Sequence, residues 1–338
     1  MTKRFGSIAL LVLLALVAAT APPPPPAGAQ AKLPATLLLN FYTYGEHAGL
    51  AYGVVKGIYA EEGIDLTLKE GAGSGATVNA IIGDSARFGY ADAGAAARAI
   101  TKNAPLKLIG DYVQTSPFSI IFFADKNYKS IKDLVGKKVS FTTGDALHQA
   151  WPALLKVNGI ERSQVQEVLL AAAAKQTAVM TGAVDAMGGY YTTQAGAIER
   201  ETNKKVTYLR YADFGVNALT DGMLVNTKYL TPAERPLNCK MVKATARAWV
   251  AAGKDPDGAV EALHQLFPNT NKGAKDLTKK QWVDSYDLLY TKATNGKAAG
   301  WMAPEDWNIL LKQLTEYGGM ENPRQATDYF TNEFFDCK

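Results

Sequence analysis

The chain contains 338 residues, with 36 lysines and arginines against 32 aspartates and glutamates, which gives a formal net charge of +4. This length suffices for two core-bearing units. Basic residues are concentrated no further than pairs such as Lys137-Lys138 and Lys204-Lys205, so the sequence gives no indication of a nucleic-acid-binding surface.

Residues 1–31 have the pattern of a secretory signal peptide. Two basic residues precede a short apolar run (8–21), and a small-x-small site allows cleavage after Ala31 or after Ala29. No later apolar run reaches the ~20 residues that a membrane span needs, so we expect a soluble, periplasmic mature chain.

The mature chain opens with a strand, a helix and a second strand. "ATLLLNFY" (35–42) is a continuous apolar run of strand length, apolar residues then recur at helical spacing from Leu50 to Tyr59, and "IDLTLKE" (64–70) is strand-like. Gly63 is the predicted end of the helix. These elements predict a β-α-β unit with a right-handed crossover.

The same order of elements occurs twice. A helix, a glycine, a short strand and another helix surround Gly83, and the same succession surrounds Gly182. This repetition predicts two similar α/β lobes.

The predicted boundaries are lobe 1 at 32–126, lobe 2 at 127–213, and a return to lobe 1 with additional C-terminal helices at 214–338. Gly215 marks the expected return crossing, and amphipathic helices dominate beyond Thr231. Within lobe 2, a helix is expected from about Ala150, with Pro152 in its first turn, where proline is tolerated.

Cysteine and histidine usage limits the covalent and metal chemistry. Cys239 and Cys337 are the two cysteines, and in an exported chain they are expected to form a disulfide, although two buried free thiols are the alternative. The three histidines are spaced about a hundred residues apart, which does not resemble a metal site. We expect neither a metal nor a cofactor.

Candidate binding residues follow from the position of ligands in open α/β sheets, which is beyond the carboxyl ends of the strands. Applied to both lobes, this rule selects loop residues that should converge on one cleft. They are Tyr42, Tyr44, His47, Gly73, Ser74, Gly75, Tyr90, Asp92, Ser116, Thr142, Thr143, His148, Tyr190, Tyr191 and Asp213.

Several of these candidates have a structural alternative. Asp92 is equally suited to capping the helix that follows it, and His47 lies at a helix start where the backbone commonly satisfies a polar side chain. Tyr42 and Tyr44 face the same way on an extended segment, which favours a binding wall over a core edge.

The motifs resemble a known family. "KGIYAEEGIDL" at a helix end, the glycine-rich block "GAGSGATVNAIIG" and "DLVGKKV" at the start of lobe 2 are similar to the substrate-binding proteins of ABC importers in the group that binds thiamine pyrimidines, riboflavin, nitrate, sulfonates or taurine. The resemblance implies a type II periplasmic-binding-protein fold with two chain crossings, an inter-lobe ligand cleft and hinge closure. It also implies a membrane permease as partner, and we expect a monomer.

The charges near the candidate positions suggest a ligand class. They include Glu46, Asp92, Asp145 and Asp213 but no lysine or arginine, whereas a small divalent anion would favour basic groups. Tyrosines together with carboxylates fit a planar heteroaromatic, pyrimidine-like ligand. A small oxyanion such as a sulfonate, taurine or nitrate is the alternative.

Two other functions stay open. A eukaryotic pyrimidine synthase shares the fold that the resemblance implies, but it depends on a cysteine-rich iron-binding motif, and the cysteines here lie far from the cleft loops. We therefore expect no enzyme. A sensor that presents its ligand to a receptor is the third possibility.

Overall fold

The computed structural model describes residues 32–143, 145–316 and 318–337. The predicted signal peptide, residues 1–31, lies outside this part of the chain. Within the described ranges, no helix combines the length and the apolar character that crossing a bilayer would require.

Ten strands form in the described residues. They are β1 (Leu33–Leu38), β2 (Ile64–Lys69), β3 (Phe88–Asp92), β4 (Leu106–Asp111), β5 (Phe118–Phe123), β6 (Lys138–Phe141), β7 (Gln166–Leu169), β8 (Ala186–Tyr190), β9 (Val206–Arg210) and β10 (Asp221–Asn226).

The α-helices lie between and after these strands. They are α1 (Ala48–Val55), α2 (Ile58–Glu61), α3 (Ser74–Ile82), α4 (Ala93–Thr101), α5 (Ala146–Val157), α6 (Ala172–Met180), α7 (Gly196–Thr202), α8 (Arg235–Lys254), α9 (Pro256–Leu266), α10 (Lys275–Tyr286) and α11 (Pro304–Glu316).

The strands form two five-stranded sheets. The first has the order β2-β1-β3-β10-β4 and the second the order β7-β6-β8-β5-β9. In each sheet one strand that follows a chain crossing, β10 or β5, is antiparallel to both of its neighbours, and the other pairings are parallel. The predicted fold of two α/β lobes with two chain crossings is confirmed.

The first crossing lies earlier than the expected boundary at residue 126. β4 belongs to the first sheet and β5 already belongs to the second, so the chain changes lobes between Asp111 and Phe118. β5 is a hydrophobic strand that either sheet could have accepted, because its run FSIIFF carries no signal of which sheet it joins. The chain returns between β9 and β10.

Two helix predictions need correction. The first helix is interrupted at Gly57, which has a left-handed φ of 75°, so that α1 and α2 replace one continuous helix. Gly63, with a φ of 76°, does follow the end of α2 as predicted. α5 begins at Ala146 and contains Pro152 in its interior rather than in its first turn.

The C-terminal helices complete lobe 1. α8 and α9 pack against α1, and the Trp249 ring of α8 stacks on Tyr112 with centroids 5.5 Å apart. The predicted disulfide is confirmed: Cys239 in α8 is bonded to Cys337, with Cα atoms 5.9 Å apart and a sequence separation of 98. The bond therefore fixes the end of the chain to lobe 1.

Candidate functional site

A cleft of about 540 Å³ lies between the two sheets and the C-terminal helices. From lobe 1 it is lined by Asn40, Phe41, Tyr42, Tyr44, Gly73 and Ser74. From lobe 2 it is lined by Asp145, Leu147, Lys175, Gln176, Tyr190, Thr193, Gln194, Ala197, Arg200 and Glu201. The C-terminal region contributes Asn269, Asn271, Lys272, Ala274, Leu277 and Gln281.

The lobe 1 wall is built on a buried hydrogen-bond network around Asn40, which follows β1. Its Nδ2 donates to Tyr44 Oη (3.1 Å) and to Asp221 Oδ1 (2.9 Å), and its Oδ1 is 2.8 Å from His47 Nε2. Burial lowers the pKa of His47 to about 3, so the imidazole is neutral and donates from Nε2. The network holds the Asn40 and Tyr44 side chains in one orientation.

Buried carboxylates lie behind this wall. Glu46 Oε1 accepts a 3.0 Å hydrogen bond from Tyr90 Oη, and burial together with the nearby Asp221 raises the pKa of Glu46 well above its usual range. Burial also raises the pKa of Asp221 to about 7, against the opposing effect of hydrogen bonds from Asn40 and Tyr190. Lobe 1 therefore contains buried titratable groups, Glu46 and Asp221, directly behind the wall of the cleft.

The lobe 2 wall carries an ion pair. Lys175 Nζ in α6 is 2.9 Å from Asp145 Oδ2, and the lysine side chain is 1% exposed. A buried ammonium has three N–H donors, and one of them donates to Asp145. The other two remain as hydrogen-bond donors for a molecule in the cleft. The expectation that the cleft would lack basic side chains is wrong, since Lys175, Arg200 and Lys272 all line it.

A π-helical turn at Tyr191–Ala195 shapes the centre of the lobe 2 wall. Such turns widen the helix by one residue and are frequent at functional sites. The turn places Thr193 and Gln194 in the cleft, directly after Tyr190 at the end of β8. Tyr190 Oη donates to Asp221 Oδ2 of lobe 1 at 3.1 Å, so one cleft residue also links the lobes.

The predicted candidates divide between the cleft and other places. The cleft brings together Tyr42, Tyr44, Gly73, Ser74 and Tyr190. Their contact with a ligand stays a prediction. Four of them follow the carboxyl end of a strand, and Tyr190 is the last residue of β8, as the rule for open α/β sheets requires.

Three other candidates are buried inside lobe 1. Asp92 caps α4, because its Oδ1 accepts a 2.7 Å hydrogen bond from the Ala95 N–H. Tyr90 donates to Glu46, His47 bonds to Asn40, and both side chains are fully buried. Their roles in the structure are to support the wall from behind.

Three candidates of lobe 2 are held by neighbours away from the cleft. His148 Nε2 is 3.0 Å from Glu167 Oε2, and the Tyr191 ring stacks on Tyr208 with centroids 5.0 Å apart. Asp213 is half-exposed and forms an ion pair with Arg210. Partners on β7 and β9, the edge strands of the second sheet, therefore occupy these side chains.

The last four candidates also lie outside the set of described residues that lines the cleft. Ser116 is buried in the first crossing, where its N–H donates to Asn217 Oδ1 of the return crossing at 3.2 Å. Gly75 is the second residue of α3, Thr142 is buried after β6, and Thr143 is exposed.

The most informative residues that sequence reasoning missed are Lys175 and Gln281. Both lie inside helices, α6 and α10, whereas the search considered loops at strand ends. Lys175 is a lysine in an otherwise alanine-rich helix turn, "AAAAKQTAV", and this isolated charge was the available signal.

Comparisons with known proteins agree with this architecture. A formylaminopyrimidine-binding protein of Halalkalibacterium halodurans is 20% identical over 297 residues, which cover 88% of this chain and 89% of the relative. A 4-amino-5-hydroxymethyl-2-methylpyrimidine phosphate synthase of Legionella pneumophila is 26% identical over 251 residues, 72% of this chain and 76% of the relative.

Among solved structures, the alkanesulfonate-binding protein SsuA of Xanthomonas axonopodis pv. citri, bound to MOPS, superposes with a TM-score of 0.68 at 14% identity. The match covers 90% of this chain and 99% of that one, and it establishes a shared fold. The family described as NMT1/THI5 like matches residues 45–259, which is more than half of the chain. The chain belongs to the NMT1/THI5-like family.

Proposed function

We propose that this chain is the extracytoplasmic solute-binding component of an ABC importer. It captures a small molecule between its lobes and delivers it to a membrane permease as a monomer, after export directed by residues 1–31. The observation that carries the proposal is the inter-lobe cleft of about 540 Å³, which has the size of a small-molecule site and is lined from both sheets. Relatives named as binding proteins support it.

The ligand is a planar heteroaromatic molecule with polar edges. Aromatic side chains from both lobes, Phe41, Tyr42 and Tyr190, supply flat apolar surface at the cleft. Asp145 offers a hydrogen-bond acceptor and Lys175 a donor, so a ring that carries an amino group and a ring nitrogen or carbonyl would satisfy both. The relative named for formylaminopyrimidine is consistent with such a ring.

Titration calorimetry with aminopyrimidines, flavins and alkylsulfonates tests this ligand class. We expect an aminopyrimidine to bind and Tyr42→Ala to weaken its affinity by about five- to tenfold, because a ring contact contributes roughly 1–1.5 kcal/mol. Tyr208→Ala is a matched control, since both tyrosines are 38% exposed and Tyr208 lies outside the cleft lining. Tight sulfonate binding with no binding of any heterocycle would overturn the heteroaromatic assignment.

A small oxyanion is the second candidate, favoured by one observation. The buried Lys175 ammonium provides the positive charge that a sulfonate would need, although Asp145 offsets it. The sulfonate arm of the same titration decides between the two ligands.

An enzyme is the third candidate, favoured by the relative that is named as a synthase. Both cysteines of this chain are bonded to each other, which removes their thiols from chemistry in that state. Incubation of the purified protein with aminopyrimidines should return them unchanged by mass spectrometry, and steady product formation would establish catalysis instead.

A further inference from the structure

The Gln281 side chain in α10 joins three segments of the chain. Its Oε1 accepts from the Gly45 N–H (2.9 Å) and from Asn271 Nδ2 (2.7 Å), and its Nε2 donates to the Thr193 carbonyl (2.7 Å). The orientation of the carboxamide is determined, because a backbone N–H can only donate and a carbonyl can only accept. Gln281 is 2% exposed and lines the cleft.

The two ends of this carboxamide face different lobes. Gly45 begins the turn that leads into α1, and Asn271 lies in a turn joined to lobe 1 through the 2.8 Å contact between Thr270 and Thr43 hydroxyls. Thr193 belongs to the π-helical turn of lobe 2. The oxygen therefore holds lobe 1 together, while the N–H reaches across to lobe 2.

The backbone around Gln281 is built for close contact. A Cβ atom at Gly45 would collide with the Gln281 side chain and the Thr278 carbonyl. Asn271 and Lys272 adopt left-handed φ angles of 50° and 53°, which non-glycine residues seldom do. This conformation places both side chains at the cleft.

Two ion pairs join α7 of lobe 2 to α10 and to the turn that contains Lys272, but they are exposed. Arg200 pairs with Asp276, and Lys272 pairs with Glu201, with side-chain exposures from 40% to 82%. Exposed pairs contribute little and are screened by salt. The buried Gln281 hydrogen bonds are therefore the specific part of this contact.

We propose that Gln281 is a positioning residue that sets how firmly the lobes close, by holding α10 against the π-helical turn as a third wall of the cleft. The inference rests on the proposed function of ligand capture by lobe closure. When the lobes separate, Nε2 loses Thr193, while Oε1 retains both of its donors. Gln281 thus favours the closed arrangement and slows release of a captured molecule.

The substitution Gln281→Glu isolates the cross-lobe arm. A carboxylate still accepts from Gly45 and Asn271 but cannot donate to Thr193 at pH 8. Gln281→Met removes all three hydrogen bonds at similar volume. Lys279→Ala is the matched control on the same helix, because Lys279 pairs with Asp257 at an exposed position.

Spin labels on Leu33→Cys and Leu169→Cys, exposed positions on β1 and β7, report the distance between the lobes. We expect both Gln281 variants to shift the distance distribution towards longer values while Lys279→Ala matches the wild type. If Gln281→Glu and Gln281→Met leave the distribution unchanged, the proposal is wrong. Because Gln281→Met carries no added charge, it decides the outcome should Gln281→Glu fail to fold.

The dissociation rate of 4-amino-2-methylpyrimidine provides a second readout. We expect release to be about fivefold faster from Gln281→Glu, in line with the loss of one buried hydrogen bond. An unchanged rate in a variant that binds this probe contradicts the proposal. If the wild type binds neither this probe nor any other small molecule, the proposed function fails, whereas the distance measurement still tests the role of Gln281.

Discussion

The two lobes share one strand order but present different chemistry to the cleft. In lobe 1 the polar residues, such as Asn40 and Tyr44, have partners within the protein, and titratable groups lie behind the wall. In lobe 2 the charged residues Asp145 and Lys175 pair with each other at the cleft and keep unused hydrogen-bonding capacity. This difference suggests that lobe 1 is a preorganised platform, whereas lobe 2 discriminates between ligands.

The largest effect is expected from Lys175→Met, which breaks the lobe 2 ion pair. Removal of one partner of a buried pair leaves an uncompensated charge on Asp145 and should lower the free energy of unfolding by about 3–5 kcal/mol. The free energy of unfolding is measured by urea denaturation. Lys272→Met is the control, because this lysine lines the same cleft at 82% exposure and should change stability by less than about 1 kcal/mol. Equal losses of stability in both variants would contradict the distinction between the buried Lys175 and the exposed Lys272.

The lobe 1 carboxylates predict a pH dependence of stability. Burial raises the pKa of Asp221 to about 7, above the unfolded value near 3.9, so the folded state holds more protons between these pH values. The contribution of Asp221 to stability is fully present below pH ~4 and is lost as the pH rises towards 7.

Asp221→Asn tests this assignment, because it removes the titration. Between pH 4 and pH 8, the free energy of unfolding of this variant should rise relative to the wild type by about 2–4 kcal/mol. Glu46 and Asp92 also have raised pKa values, in part because Asp221 is close to them, so the substitution lowers their pKa values as well and adds to the change in the same direction. A difference that does not change with pH would exclude Asp221 as the titrating group.

The disulfide distinguishes the lobes in a further way, because it lies in lobe 1. The double substitution Cys239→Ser/Cys337→Ser should lower stability by about 2–4 kcal/mol, since the bond closes a long loop and restricts the unfolded chain. Affinity for the pyrimidine probe should stay unchanged, because neither cysteine lines the cleft. Loss of affinity in a folded variant would connect the C-terminal tail to the site.

The smallest effect is expected from Asp213→Asn in lobe 2. Its ion pair with Arg210 is exposed, so stability should change by less than about 1 kcal/mol and probe affinity should not change. Neither side chain of this pair is buried, so a larger effect is not expected. A clear loss of affinity, measured by calorimetry, would restore Asp213 to the binding site.

The strand-end rule brought Tyr42 and Tyr44 after β1 and Tyr190 at the end of β8 to the cleft, because the position of a residue at the end of a strand follows from local sequence. It could not separate Tyr190 from Tyr191, since the π-helical turn that sends one ring to Asp221 and the other to Tyr208 is set by packing. It also overestimated His148, a residue of α5 whose partner Glu167 lies on β7.

The sequence by itself determined the two-lobed α/β fold and the aromatic character of the lobe 1 wall, because periodicity and residue type carry that information locally. It predicted the disulfide between Cys239 and Cys337, with free thiols as the alternative, and the structure decided for the bond. The tertiary structure decided the rest. Lys175 and Gln281 reach the cleft from helices distant in the chain, and only the packing of those helices determines which of their faces meets the other lobe.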